Sequence, residues 1–274
     1  MPATSLRAGA SDGWSLALAS LSRIYARPGS YGREYLTAPR PGTGAEAMTE
    51  DAGAAAMPFV AEARLLGEAT GALHADMAVA FGRRELGRAE LAAIADTMNA
   101  KLTDAIAVVP ELGPHEGRIR LAYNAVADLA GPVPVQRIHG DYHLGQVMRS
   151  KHGWVALDFE GEPALPLMQR RALAPALKDV AGMLRSFDYA ARHQLIGHPD
   201  AGKAADVADA ADAWVRHCQA AFLAGYAARG ATDPAGHNTL LRALTLEKAV
   251  YEVVDEYRHR PSWLSIPLEF VAAA

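Results

Sequence analysis

Asp141, Gln146, Asp158, Glu160 and Glu162 lie within one stretch, QRIHGDYHLGQVMRSKHGWVALDFEGEP at 136–163, and all five end in hard oxygen donors. A carboxylate beside a hydroxyl can orient it and take its proton. Amide and carboxylate oxygens can hold Mg2+, which takes one or two protein carboxylates and fills its remaining positions with phosphates and water. Both needs belong to phosphoryl transfer, where the protein supplies position and charge neutralisation and little covalent chemistry. Asp141 precedes Gln146 by five residues on a loop leaving a strand. Asp158 ends a strand that a hairpin at 151–153 folds back beside that loop. The three oxygens are therefore expected to meet in one small volume. A charged turn between plain strands would explain any one of these residues but not the set.

The elements that must carry this stretch are mostly helical. Trp14, Leu16, Leu18, Leu21 and Ile24 recur at helical spacing after Ser11 or Asp12 as a cap, which predicts a helix over 14–25. Residues 27–58 are rich in Pro, Gly and small side chains and read as a flexible loop. Helices follow at about 59–80, ending near FGRREL, then at 88–107 and 115–130, the last closed by Gly131 and Pro132. His74 falls on an apolar stripe and reads as a packed core histidine. VQRIHG, QVMRS and WVALDFE read as short strands, with KHG at 151–153 as the hairpin turn. Helices resume at about 176–192, 205–229 and 237–258, and the tail RPSWLSIPLEFVAAA adds a further turn. The fold class expected is mainly α with a small β ladder, that is, α+β. Two domains are expected: an N-terminal helix and loop at 1–58, and a larger domain at 59–274.

Composition narrows the partners. The 274 residues are 50% hydrophobic and 21% charged, with a formal net charge of −4. Nothing points to a broad basic face for nucleic acid, so anionic ligands must be held by local groups. Cys218 is the single cysteine, which excludes an intrachain disulfide and suits a reducing compartment. Within WVRHCQAAFLAGY it reads as a small core residue. No signal-peptide core or membrane-length apolar run is present in the sequence, and the expectation is a soluble, cytoplasmic protein without nucleic-acid or membrane partners. Phosphate-cradling glycine loops of the G-x-x-x-x-G-K-[ST] or G-x-G-x-x-G type are absent from the sequence.

HGDYHLGQ resembles the H-G-D-x-x-x-x-N catalytic loop of aminoglycoside phosphotransferases and related small-molecule kinases, and DFE stands where their D-F-G metal motif stands. SDGW at 11–14, KDVAGMLRSFDYAA at 178–191 and LEKAVYEVVDEYRHRPSWLSIPL at 246–268 are similar to the maltokinases. The resemblance covers most of the chain from Ser11 onward, apart from the loop at 27–58. It implies the C-terminal lobe of a protein-kinase-like fold, with catalytic loop 139–146 and metal motif 158–160. It also implies transfer of phosphate from ATP, with Mg2+, to maltose, giving maltose 1-phosphate in glycogen- and trehalose-linked metabolism. By the same resemblance Asp141 is the base, Gln146 and Asp158 are metal ligands, and Glu160 reaches a second metal, while Glu162 fixes a turn. His139 orients the loop through backbone near Asp158, and His143 faces either the substrate or solvent. Asp179 caps a helix and braces the catalytic loop; Arg185 lies one turn on, in a supporting position. Lys248, Tyr251 and Asp255 share a helix face that contributes to the sugar site.

Two departures qualify the resemblance. Maltokinases read Y-E-x-x-Y-E where this chain reads YEVVDE, so Asp255 replaces a ring with a carboxylate beside Glu252 and Glu256. That change suits a substrate with an amino group, and kinases of glucosamine or aminoglycosides are the alternative acceptor class. Strands and a lysine of the nucleotide-binding N-lobe are not found before residue 59. The expectation is a C-terminal lobe alone, with an exposed apolar patch where an N-lobe would dock, and a separate N-lobe or trehalose synthase as a docking partner. A non-catalytic remnant that keeps the motif is the third reading.

Overall fold

The computed structural model describes residues 10–26, 58–162, 166–196, 205–230 and 232–274. The loop expected at 27–58 lies outside the described residues except for Pro58. The described chain is mainly helical with small antiparallel sheets, an α+β fold. None of its helices is long and apolar enough to cross a membrane. It divides into two compact units, one drawn from 1–75, 143–159 and 186–231, the other from 76–142, 160–185 and 232–274.

The first unit holds a three-stranded sheet in the order β1 (Ser11–Asp12), β4 (Val147–Ser150), β5 (Gly153–Ala156), antiparallel throughout. Register runs Ser11↔Arg149 and Asp12↔Met148 on one side of β4, and Val147↔Ala156 to Ser150↔Gly153 on the other. Gly153 closes the hairpin at φ 123°, a conformation that favours glycine. Helix α1 (Gly13–Tyr25) starts where Asp12, one of the two expected caps, accepts from the Ser15 amide at 2.8 Å. Gly13 cannot be larger: a Cβ there would lie 2.7 Å from Val147 Cγ2 and 2.8 Å from the Leu144 carbonyl. The SDGW signature thus seats α1 directly on the turn at Leu144–Gln146.

Beneath the sheet lie α2 (Pro58–Phe81, to Ala75), the end of α6 (Leu177–Ile196) and α7 (Ala205–Arg229). Phe59 stacks on Trp214 at 5.6 Å, and Phe187 meets Trp214 and Phe222 edge-on. Gly67 and Gly225 let α2 and α7 touch backbone to backbone; a Cβ on either would fall 2.1 Å from a carbonyl oxygen of the other helix. His74 is a buried core histidine, as expected, with Nδ1 at 3.0 Å from the Tyr226 hydroxyl. Cys218 is fully buried in α7, and burial pushes its thiol pKa well up.

The second unit packs α3 (Arg88–Val108) against α4 (Glu116–Ala127), with α8 (Asn238–His259) on both and α9 (Ser265–Ala273) on α8. Its core is Leu91, Met98 and Leu102 against Ile119, Tyr123 and Val126. A two-stranded ladder, β2 (Arg83–Leu86) with β3 (Val133–Gln136), runs Arg83↔Gln136 to Leu86↔Val133. Sequence periodicity misses β2, because RREL puts only Leu86 inside and shows no alternation to read. Gly82 at φ 77° ends α2 just before it. The strand expected at 135–140 lies at 133–136 instead, in register with β2. The expected third strand stops at Ala156, short of Asp158. Arg185 and Glu252 form a buried ion pair at 2.8 Å, with the guanidinium 4.0 Å from the Phe270 ring centroid. That contact ties α6 and α8 to α9.

Candidate active site

Within the second unit, residues 139–142 are pinned at their backbone. Asp179, in the first turn of α6 and 2% exposed, accepts from the His139 amide at 2.7 Å and the Gly140 amide at 2.9 Å. Both carboxylate oxygens are thus used, in hydrogen bonds of the stronger charge-assisted kind. Gly140 holds φ 90°, and a Cβ there would lie 3.2 Å from Gly161 Cα. Gly182 brings α6 so close that its Cβ would fall 2.6 Å from the Tyr142 carbonyl. His139 is buried, with Nδ1 at 3.4 Å from the Asp141 amide and its ring tilted against Tyr142. Fixed on both sides, the loop leaves the Asp141 side chain as the group that reaches outward.

Asp141 meets Lys248, which links it to Glu162 and Tyr251. Lys248 Nζ lies 3.8 Å from Asp141 Oδ1 and 3.8 Å from Glu162 Oε2, and over the Tyr251 ring at 4.9 Å. The Tyr251 hydroxyl donates to Glu162 Oε1 at 2.9 Å. Burial, then the charge of Glu162 and the bond to it, raise the Tyr251 hydroxyl pKa, so it stays a neutral donor. Two carboxylates, Asp141 and Glu162, thus share the Lys248 ammonium. These residues stand on the wall of a cavity of about 350 Å³, all of whose lining belongs to the second unit. Glu162, expected only to fix a turn, is a member of this cluster.

Asp255, expected on the sugar-site face, stands elsewhere in the structure. It does not line the cavity; its carboxylate sits 3.0 Å from His259 Nδ1 and 3.7 Å from Arg260. Its neighbours are committed as well, Glu252 to Arg185 and Glu256 to Arg260 at 2.8 Å. The carboxylates that face the cavity beside Lys248 are Asp141 and Glu162 instead. Arg185 serves packing between helices and does not line the cavity.

In the first unit, the His143 side chain accepts from the Gly145 amide at 3.1 Å, capping the short 3-10 turn at Leu144–Gln146. Ser186 Oγ accepts from the Leu144 amide at 3.0 Å. The Leu157 amide donates to the Gln146 carbonyl at 2.8 Å, extending the β4–β5 ladder by one bond. Gln146 and Asp158 therefore flank the open end of that hairpin. Asp158 has φ 56° and is the one non-glycine residue with positive φ among the described residues, a conformation that clusters at functional sites. One amide oxygen and one exposed carboxylate suit Mg2+ that takes its other ligands from phosphates and water. Glu160 is exposed and falls in the second unit. Among the described residues no three His, Cys, Asp or Glu side chains group as a metal cage. Along β5 and just past it, Val155, Leu157 and Phe159 expose apolar side chains at alternate positions.

No family model matches the chain. It is similar to a glucosamine kinase of Streptacidiphilus jiangxiensis, 35% identical over 210 residues, which covers 74% of this chain and 46% of that protein. A glucosamine kinase of Mycolicibacterium smegmatis is 36% identical over 155 residues, covering 54% of this chain and 36% of the relative. Among solved structures, a glucosamine kinase in a second crystal form superposes with TM-score 0.74 and 30% identity over 98% of this chain and 59% of that one. A glucosamine kinase in complex with glucosamine, ADP and inorganic phosphate gives 0.73 and 29% over 97% and 61%. The chain spans less than half the length of the curated relatives it matches, and over that span it shares the α+β, kinase-like fold of glucosamine kinases.

Proposed function

We propose that the chain carries the acceptor side of an ATP-dependent amino-sugar kinase, which moves the γ-phosphoryl group of ATP to a hydroxyl of glucosamine or a close relative. The observation that carries this reading is the cavity cluster of Asp141, Glu162, Lys248 and Tyr251, in a chain similar to glucosamine kinases. Asp141 orients the acceptor hydroxyl and takes its proton as the new phosphate ester forms. The Asp141 and Glu162 carboxylates on the cavity wall suit a sugar bearing an ammonium. Lys248 and the neutral Tyr251 hydroxyl donate to sugar oxygens. Gln146 and Asp158 are the residues to hold Mg2+, whose contribution when bound is to neutralise charge on the transferring phosphates. The relatives lend no support to maltose as acceptor, nor to a separate N-lobe or trehalose synthase as partner.

The test is ADP release from Mg·ATP by the purified chain, with glucosamine and maltose as acceptors. Glucosamine-dependent release is expected to exceed that with maltose, and to fall about 10²–10⁴-fold in Asp141→Asn, the usual contribution of a general base. Equal rates with maltose overturn the amino-sugar assignment. Absence of turnover with every sugar favours the non-catalytic remnant.

A further inference from the structure

Five carboxylates stand on the cavity wall, and four of them are already engaged. Asp141 and Glu162 share the Lys248 ammonium, 3.8 Å from each. Glu162 also accepts from the Tyr251 hydroxyl. Asp179 uses both oxygens on the His139 and Gly140 amides. Glu247 is held by Lys101 at 2.6 Å. Each of these could take a further cation only by sharing or releasing a partner it has, which cancels part of the gain.

Asp104 of α3 differs. It lines the cavity with Lys101, Ala105 and Val108, a spacing that puts all four on one face of the helix. Asp104 is exposed, and its carboxylate makes no hydrogen bond or ion pair to a described residue. Lys101, one turn earlier, is committed to Glu247. The other cations of the wall stand on other helices, Lys178 on α6 and Lys248 and Arg258 on α8. An ammonium arriving at Asp104 therefore displaces water and breaks no contact within the protein. A ring that covers the pair also removes the solvent that weakens exposed ion pairs. Asp104 and Asp141 wall the same cavity of about 350 Å³, at the small end of the roughly 300–1,000 Å³ of small-molecule sites. One small ligand can thus face both.

We propose that Asp104 is the residue that reads the amino group, binding the glucosamine ammonium while Asp141 receives the acceptor hydroxyl. This role rests on the amino-sugar kinase reading and assigns its specificity to one side chain. A neutral sugar of the same shape leaves Asp104 to water.

Calorimetric titration of the whole chain with glucosamine and with glucose, without nucleotide, tests it. The wild-type chain is expected to bind glucosamine more tightly than glucose. Asp104→Asn and Asp104→Ser both remove the charge at an exposed helix position, with thermal melting confirming that they fold. Both are expected to weaken glucosamine about ten-fold, as loss of a hydrogen bond to a charged partner would, and to leave glucose within about two-fold. Asp96→Asn removes the same charge about two turns earlier on α3, outside the cavity, and is expected to change neither. Glucosamine binding retained in both Asp104 variants, or glucose weakened equally, overturns the inference and leaves the kinase reading standing. So does an equal loss in Asp96→Asn, which makes the effect one of net charge. Equal binding of the two sugars to the wild-type chain, or binding of neither, overturns both together.

Discussion

Replacing Asp179 removes the brace of the loop at 139–141. Its two oxygens accept from consecutive amides, His139 at 2.7 Å and Gly140 at 2.9 Å, in a site where the side chain is almost wholly buried. Hydrogen bonds to a charged partner contribute about 1.5–3 kcal/mol each. Asp179→Ala removes both and leaves two amides without their acceptor, so a loss of about 3–6 kcal/mol is expected. Asp179→Asn keeps one acceptor oxygen and turns an NH2 toward the other amide, so about half that loss is expected. Urea unfolding with an unchanged slope measures the difference. Hydrogen exchange at the His139 and Gly140 amides locates it, with protection falling at these two positions in both variants. If Asp141 is the base, turnover falls in parallel, because its backbone is no longer held. A change below about 0.5 kcal/mol in Asp179→Asn, within the range of ordinary surface substitutions, would refute the reasoning, as would an alanine variant no worse than the asparagine one.

Arg185→Met leaves Glu252 as an uncompensated buried carboxylate and is expected to destabilise by about 3–5 kcal/mol. The double variant Arg185→Met with Glu252→Met is expected to recover most of it in the same urea experiment, since replacing both members of a buried pair is often near neutral. Gly13→Ala places a methyl group 2.7 Å from Val147 Cγ2 and 2.8 Å from the Leu144 carbonyl. Thermal melting should show it less stable by about 1–3 kcal/mol, the usual effect of overpacking.

The turn and hairpin from 143 to 156 were legible because they are local. Helix periodicity likewise located α1, α3, α7 and α8 within a few residues. What resisted reading was fixed by tertiary contact. Asp255 shares a stripe with Lys248 and Tyr251 by simple spacing, yet the cavity wall of α8 continues through Val254 and Arg258. Asp255 turns instead to the basic last turn of its own helix. Glu162 gains its place from Lys248 and Tyr251, more than eighty positions away. Tyr123 sits on an amphipathic helix like any core aromatic. Only the meeting of α3, α4 and α8 shows a space beside it.

Cys218 gives the protein a built-in clock. A thiol reacts as its thiolate, and full burial with a raised pKa withholds both access and ionisation. Alkylation under native conditions therefore proceeds only as fast as α7 lifts from its packing. A single mass increment per molecule then times the opening of that helix bundle, with no label introduced and no other cysteine to confuse the count.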